Sequence, residues 1–310
     1  MNRNILITAG ATYLDIDAYA CMVAMAELRN LQGKNAVAYS SAPCNYSVCN
    51  FLIEEGQIVR DMPTELQAKN ANYVIVDVSD PDFLQGSIPL ESVIEVYDHH
   101  MGFADYWQSR IGAGTHIEFI GAAATLIYRE WEKANMQKKM ACNTAKLLIA
   151  AILDNTLNLT SSNTTPEDIA VFRALCKHAE VGEEFRAMYF TQVQNSVEAD
   201  LKNALFGDIK KIANSSVLPS YMGQVSVWNV DLILEKLEEI SSWFSALGES
   251  WMLNVIDIQH NCNYFVCKSE EYQRKIEQVF QVRFEKGTAK TSVSYLRKEI
   301  IKKMCFESNF

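Results

Sequence analysis

Short, wholly apolar runs alternate with amphipathic stretches over the first third of the chain. RNILITAG (3–10) is an apolar run that stops at a glycine. DAYACMVAMAELRNLQG (17–33) puts Ala20, Ala24, Leu28 and Leu31 on one helical face before Gly33 ends it. KNAVAYSSA (34–42) reads as a strand and NYSVCNFLIEEG (45–56) as a helix. ANYVIVDVSDP (71–81) and SVIEVYDHH (92–100) are two further β-rich runs. Strands apolar on both faces, separated by helices, predict a parallel sheet covered by helices on both sides.

From residue 118 the period turns helical. EFIGAAATLIYREWEKAN (118–135), ACNTAKLLIAAILDNTLN (141–158) and TTPEDIAVFRALCKHA (164–179) each read as a helix. In the last of these Thr164 or Thr165 is placed to cap and Pro166 to occupy the first turn. One more helix is expected over FRAMYFTQVQNSVEADLKNALF (185–206). The pattern then changes to strands at 206–213, 223–230, 251–259 and 263–269, with a helix at LILEKLEEISSWFSALG (232–248) and a basic terminal segment. The expectation is α/β overall, with a parallel-sheet domain over 1–190 and a smaller C-terminal α+β domain over 191–310.

Composition narrows the class. With 49% apolar and 21% charged residues, the chain can bury a full core. A net charge of −10 argues against sequence-independent binding to long nucleic acid, which depends on many cation–phosphate contacts. The N-terminus lacks the apolar stretch and cleavage site of a signal peptide, and no window is apolar for the length of a membrane span. The eight cysteines (21, 44, 49, 142, 176, 262, 267 and 305) form no CxxC pair, so they read as free thiols of a cytoplasmic protein.

Acidic and imidazole groups recur where the apolar runs stop. Asp15 and Asp17 follow the first strand, Asp77 ends VIVD, and Asp98, His99 and His100 follow VIEVY. Asp154 lies at the end of KLLIAAIL, before a turn-like segment. Taken singly, Asp15 or Asp17 could be a helix cap, Asp77 and Asp80 turn formers, and the histidine pair a hydrogen-bonded loop. Taken together, carboxylates gathered at one sheet edge repel one another unless cations neutralise them. In open parallel sheets that edge is where ligands bind. Asp with His is a ligand mixture suited to divalent transition metals such as Mn²⁺.

Four motifs in order resemble those of the DHH phosphoesterase family: DIDAYA (15–20), VIVDVSD (74–80), Asp98-His99-His100, and AAILDNTLNLTSSNTTPED (150–168). The basic SVSYLRKEIIKKM (292–304) resembles the C-terminal domain of manganese-dependent inorganic pyrophosphatases and prune-like exopolyphosphatases, and no glycine-rich, histidine-containing loop marks the other branch. The resemblance implies an active site in the interdomain cleft and two Mn²⁺ (or Mg²⁺) ions, held by Asp15, Asp17, Asp77, His99 and Asp154, with Asp77 bridging. Asp98 would orient the histidine pair, and His100, Arg297 and Lys298 would contact phosphate. The implied activity is hydrolysis of pyrophosphate or polyphosphate by metal-activated water.

Three positions depart from the pyrophosphatase pattern. Ala11 stands where a histidine ligand is expected, and Met101 where a basic residue usually follows DHH. An ungapped match also puts Asn155 rather than Asp154 at the fourth-motif ligand position, which would weaken one metal subsite. Two other readings stand beside the first. One is a phosphodiesterase for short oligonucleotides or cyclic dinucleotides, with Tyr19 and Tyr295 available to stack on bases. The other is a degenerate member that binds a phosphorylated ligand without cleaving it. A small phosphorylated substrate is expected in each, and a homodimer is compatible with all. His116, His178 and His260 stand alone and read as structural; Glu118 is read as complementing a helix dipole or bonding the DHH loop.

Overall fold

The computed structural model describes residues 4–9, 13–61, 71–84, 88–212, 215–248 and 250–307, with only the backbone of 306 and 307. The chain divides into two compact units, one of residues 1–159 and 163–189 and one of 160–162 and 190–310.

The first unit contains β1 (Asn4–Thr8), α1 (Ile16–Leu31), β2 (Ala36–Ala38), β3 (Ala71–Val76), α2 (Pro81–Leu84), β4 (Val93–Asp98), α3 (Ala104–Ile111) and β5 (Thr115–Ile117). These are followed by α4 (Ala123–Lys133), α5 (Cys142–Asn155) and α6 (Pro166–Ala179), and α7 (Glu183–Ala199) runs across the division. Its five strands lie in the order β2-β1-β3-β4-β5, all parallel. The central strands β1 and β3 are buried on both faces. Leu6, Tyr73 and Ile75 pack with Leu84 of α2 and Trp107 of α3 in one cluster, while Ile7, Val74 and Val76 of opposite parity are fully buried too. Helices α1, α4 and α5 pack against one another, α1 and α4 also against the strands.

Local chemistry explains where the helices start. Asp15 caps α1, its carboxylate accepting from the Ala18 N–H at 2.9 Å. Of the two threonines proposed to cap α6, it is Thr165 that does so, in a reciprocal capping box with Asp168 and with Pro166 in the first turn. The helix expected over 45–56 is absent except for one 3₁₀ turn at Asn50–Leu52. The Asn45 side chain instead accepts from the Ser47 N–H and hydroxyl, a local turn that competes with helix. Helix α4 begins five residues later than expected, because 115–117 joins the sheet as β5 and Glu118 continues it by donating its N–H to the Asp98 carbonyl at 3.2 Å.

The second unit contains α8 (Leu201–Gly207), β6 (Ile209–Lys211), β7 (Tyr221–Val227), α9 (Asp231–Glu235), α10 (Leu237–Ser245), β8 (Trp251–Asp257), β9 (Cys262–Val266), α11 (Glu270–Phe280), β10 (Thr288–Lys290) and α12 (Arg297–Glu307). Its mixed sheet has the order β10-β9-β8-β7-β6, with only β7 and β8 parallel. Met222, Met252 and Phe265 pack there with Ile276 of α11 and with Ile300 and Met304 of α12. The helix expected over 185–206 is broken at Asp200, whose side chain caps α8, and the one over 232–248 is broken at Lys236. None of the described helices is long and apolar enough to cross a membrane.

Candidate metal centre

The acidic and imidazole groups of the first unit gather at the C-terminal edge of its sheet. Asp77 directly follows β3 with a backbone φ of +58°, a left-handed conformation that costs energy for a residue with a side chain. Its N–H donates to the Tyr97 carbonyl of β4 at 2.8 Å, which fixes the turn. Asp98 ends β4, and His99 and His100 follow it.

Asp77 and His99 face each other. His99 Nε2 lies 3.4 Å from Asp77 Oδ1, and the side chains are only 3% and 6% exposed. Both atoms are buried without a hydrogen-bond partner. The other ring nitrogen of His99, Nδ1, lies 3.2 Å from the carbonyl of Ile120. A carbonyl can only accept, so Nδ1 donates to it and Nε2 is the ring nitrogen that faces Asp77. Two buried polar atoms this close and without a hydrogen bond are unfavourable unless a shared cation, such as a metal ion, satisfies both. Metal-bound histidines have this arrangement, with the distal N–H held by a carbonyl. Ligand atoms of Asp77, His99 and His100 all lie within 4.8 Å of one another.

The remaining carboxylates surround this pair. Asp17 is fully buried, and its two oxygens accept from the N–H groups of Ala123 and Ala124, at 2.8 and 2.9 Å, at the start of α4. The small residues of GAAAT let that helix end approach so closely, and two oxygens retain lone pairs for a further ligand. Burial, then the charge of Asp77, raises the Asp17 pKa well above the usual carboxylate range. Burial, then the charge of Asp15, does the same to Asp77. Asp154 accepts from the Tyr189 hydroxyl at 2.9 Å. Desolvation raises its pKa to about 7, against the Tyr189 hydrogen bond and with the charge of Asp15. These mutual effects place Asp15, Asp17, Asp77 and Asp154 in one electrostatic cluster. Mutual repulsion and desolvation of this kind are what divalent cations relieve, so the residues present fit a metal site.

Asp98 and His100 form a separate pair. The buried Asp98 Oδ1 accepts from the His100 N–H at 3.0 Å and lies 2.9 Å from Nδ1. Burial works against the charged form of Asp98, yet the His100 hydrogen bond and charge leave its pKa lowered. Desolvation likewise opposes protonation of His100, but the hydrogen bond to Asp98 outweighs it and raises that pKa. The His100 side chain is 61% exposed.

In the fourth motif, three successive residues, Leu157, Asn158 and Leu159, have positive φ and turn the chain sharply after α5. Asp154 faces Tyr189 and the cluster, whereas the Asn155 amide turns back to the Ala151 carbonyl at 3.5 Å. Ala11 lies outside the described residues. Arg297 and Lys298 begin α12 in the second unit. The Arg297 guanidinium is committed there, to the Asp208 carboxylate at 2.5 Å and the Asp208 carbonyl at 2.7 Å. Lys298 is exposed. Glu118 pairs with Arg129 at 2.7 Å while its N–H bonds the DHH segment. His116 stacks on Tyr97, His178 meets the Met140 carbonyl at 2.8 Å, and His260 pairs with Asp257 at 2.9 Å. Sequence reasoning missed three contributors: the Ile120 carbonyl, the Ala123 and Ala124 N–H groups, and Tyr189. Two of these are backbone and one is distant in sequence; only the run of small residues before α4 hinted at a close approach.

Comparison with known structures decides the fold. The chain superposes on a putative family II inorganic pyrophosphatase of Methanococcus jannaschii with a TM-score of 0.68 and 17% identity, covering 99% of this chain and all of that one. The two share a fold. An exopolyphosphatase-related protein of Bacteroides fragilis follows with a TM-score of 0.54 and 12% identity, over 99% of this chain and 91% of that one. In sequence, the chain is 26% identical to the manganese-dependent inorganic pyrophosphatase of Methanothrix thermoacetophila, over 78% of this chain and 76% of that protein. It is 22% identical to that of Bacillus subtilis over 89% of both. No protein-family model matches the chain.

Proposed function

We propose that this DHH-type protein is a metal-dependent phosphohydrolase that cleaves phosphoanhydride bonds, with manganese as its cation. The observation that carries this reading is the orphaned, buried pair of Asp77 Oδ1 and His99 Nε2, 3.4 Å apart, with the other ring nitrogen of His99 held by the Ile120 carbonyl. The similarity to proteins named manganese-dependent inorganic pyrophosphatases supports the choice of metal and bond.

Asp77 and His99 would hold the metal together with Asp15, Asp17 and Asp154. Bound there, divalent ions supply charge neutralisation for phosphoryl oxygens and acidify a water for attack. The chain's own residues prepare the rest. The start of α4 and its two N–H groups fix Asp17. The Ile120 carbonyl fixes the ring of His99. Asp98 holds His100 by Nδ1 and favours its charged form, in which Nε2 can donate to a phosphate oxygen and stabilise charge on the departing group. Asp154 rather than Asn155 completes the carboxylate set.

Phosphate release from pyrophosphate and tripolyphosphate, measured with manganese and with EDTA, tests this reading. Release that requires manganese and vanishes in Asp77→Ala supports it; near-normal turnover of Asp77→Ala refutes it.

A further inference from the structure

Among the described residues, the three most exposed large apolar side chains are Phe119 at 67%, Met101 at 60% and Phe83 at 59%. Scattered singly, such residues are ordinary on a protein surface. These three are not scattered. Phe83 lies on the segment leaving β3, Met101 on the segment leaving β4, and Phe119 on the segment leaving β5, so consecutive loops at one sheet edge each carry one. Tyr13, on the segment leaving β1, is a further 43% exposed side chain at the same edge.

All three loops are tied to the metal centre. Met101 follows His100 directly. Phe119 is flanked by Glu118, whose N–H donates to the Asp98 carbonyl at 3.2 Å, and by Ile120, whose carbonyl holds His99 at 3.2 Å. The Phe83 loop carries Ser79, whose hydroxyl donates to the His100 carbonyl at 3.4 Å and whose own carbonyl accepts from the Trp107 indole N–H at 2.7 Å. Residues 9–15, 77–92, 99–104 and 118–122 contain no lysine or arginine, so His100 is the cationic donor these segments offer. A mouth meant for a bare inorganic polyanion would need charged donors beyond the metal. Sites for organic ligands are instead lined by apolar and aromatic side chains around a few polar groups.

We infer that the substrate carries an aromatic organic group on its phosphate chain, as a nucleoside triphosphate does, and that Phe83, Met101 and Phe119 receive that group beside the metal centre. This rests on the phosphohydrolase reading and narrows it. Water adds to the terminal phosphorus, and the bridging P–O bond breaks with its electron pair on the departing nucleoside diphosphate. One water proton stays on the released phosphate and the other passes to solvent. Aromatic faces accept bases by stacking without demanding a particular one, so the preference is for a class.

The test is phosphate release by the full-length, manganese-loaded protein from ATP, tripolyphosphate and pyrophosphate in parallel. The expected kcat/KM for ATP exceeds that for tripolyphosphate at least tenfold. Phe83→Ser with Phe119→Ser should collapse that ratio about tenfold through the KM for ATP, and Met101→Lys should move it toward tripolyphosphate. Faster turnover of the inorganic substrates by the unaltered protein, or variants that lower all three substrates equally, overturns the inference. Release from none of the three overturns the hydrolase reading instead. Equilibrium dialysis of ATP and of tripolyphosphate against the manganese-loaded protein then decides the preference by itself: tighter ATP supports it, and equal or weaker ATP overturns it.

Discussion

Replacing Asp77 with asparagine should make the metal-free protein more stable while removing its metal site. Burial and the neighbouring charge of Asp15 hold the Asp77 pKa well above its ordinary value, and Asp17 is raised in the same way. A carboxyl whose folded pKa is raised contributes fully below its unfolded value, near 4, and its contribution is lost as pH rises toward the folded pKa. Every tenfold change in proton affinity between the folded and unfolded chain is worth about 1.4 kcal/mol. Asparagine keeps the shape, tolerates the φ of +58° and cannot ionise, so it removes one of these opposing charges. At pH 8 a conservative gain is about 1–2 kcal/mol after solvent relaxation, a rise of roughly 3–6 °C in Tm for a unit of this size. At pH 5 the gain should shrink, because lower pH favours the protonated carboxyl that the fold prefers. Thermal unfolding followed by circular dichroism in EDTA at both pH values is the assay. Manganese should raise the Tm of the natural protein and not that of the variant. An Asp77→Asn protein that is less stable than the natural one in EDTA at pH 8, or is stabilised equally by manganese, would refute the reasoning.

The same raised carboxyls make metal binding release protons, so manganese affinity should climb from pH 6 to pH 8. Calorimetry in buffers of different ionisation enthalpy measures this, and a pH-independent affinity would count against it. Tyr189→Phe removes the hydrogen bond that lowers the Asp154 pKa from a still higher value. Its loss should push that pKa above about 7 and weaken manganese binding more at pH 6.5 than at pH 8. Asp168→Ala strips the acceptor shared by the Gly121 and Thr165 N–H groups and the Thr125 and Thr165 hydroxyls, next to the Ile120 carbonyl that holds His99. Urea denaturation should show a loss on the order of 2–4 kcal/mol, because several buried donors are left unpaired.

The parallel sheet was legible because β1, β3 and β4 are apolar on both faces, and the acidic cluster because its acids stand at strand ends. β5 escaped notice because Thr115, His116 and Ile117 are only half-buried and show no alternation. α11 escaped because just Ile276 and Val279 are buried in an otherwise charged helix. The 45–56 segment misled because its apolar spacing is helical while Asn45 closes a turn with its own side chain. Within the site, residue types announced the candidate ligands but not their preparation. The proton position on His99 depends on the Ile120 carbonyl, and the hold on Asp17 depends on backbone N–H groups more than a hundred positions away. A one-dimensional pattern carries neither.

The most direct test of the metal centre is anomalous diffraction from crystals grown with manganese, recorded at the manganese absorption edge. The account predicts a peak within bonding distance of both Asp77 Oδ1 and His99 Nε2, with the Ile120 carbonyl still on His99 Nδ1. A fully manganese-treated crystal with no anomalous density between those two atoms would contradict it.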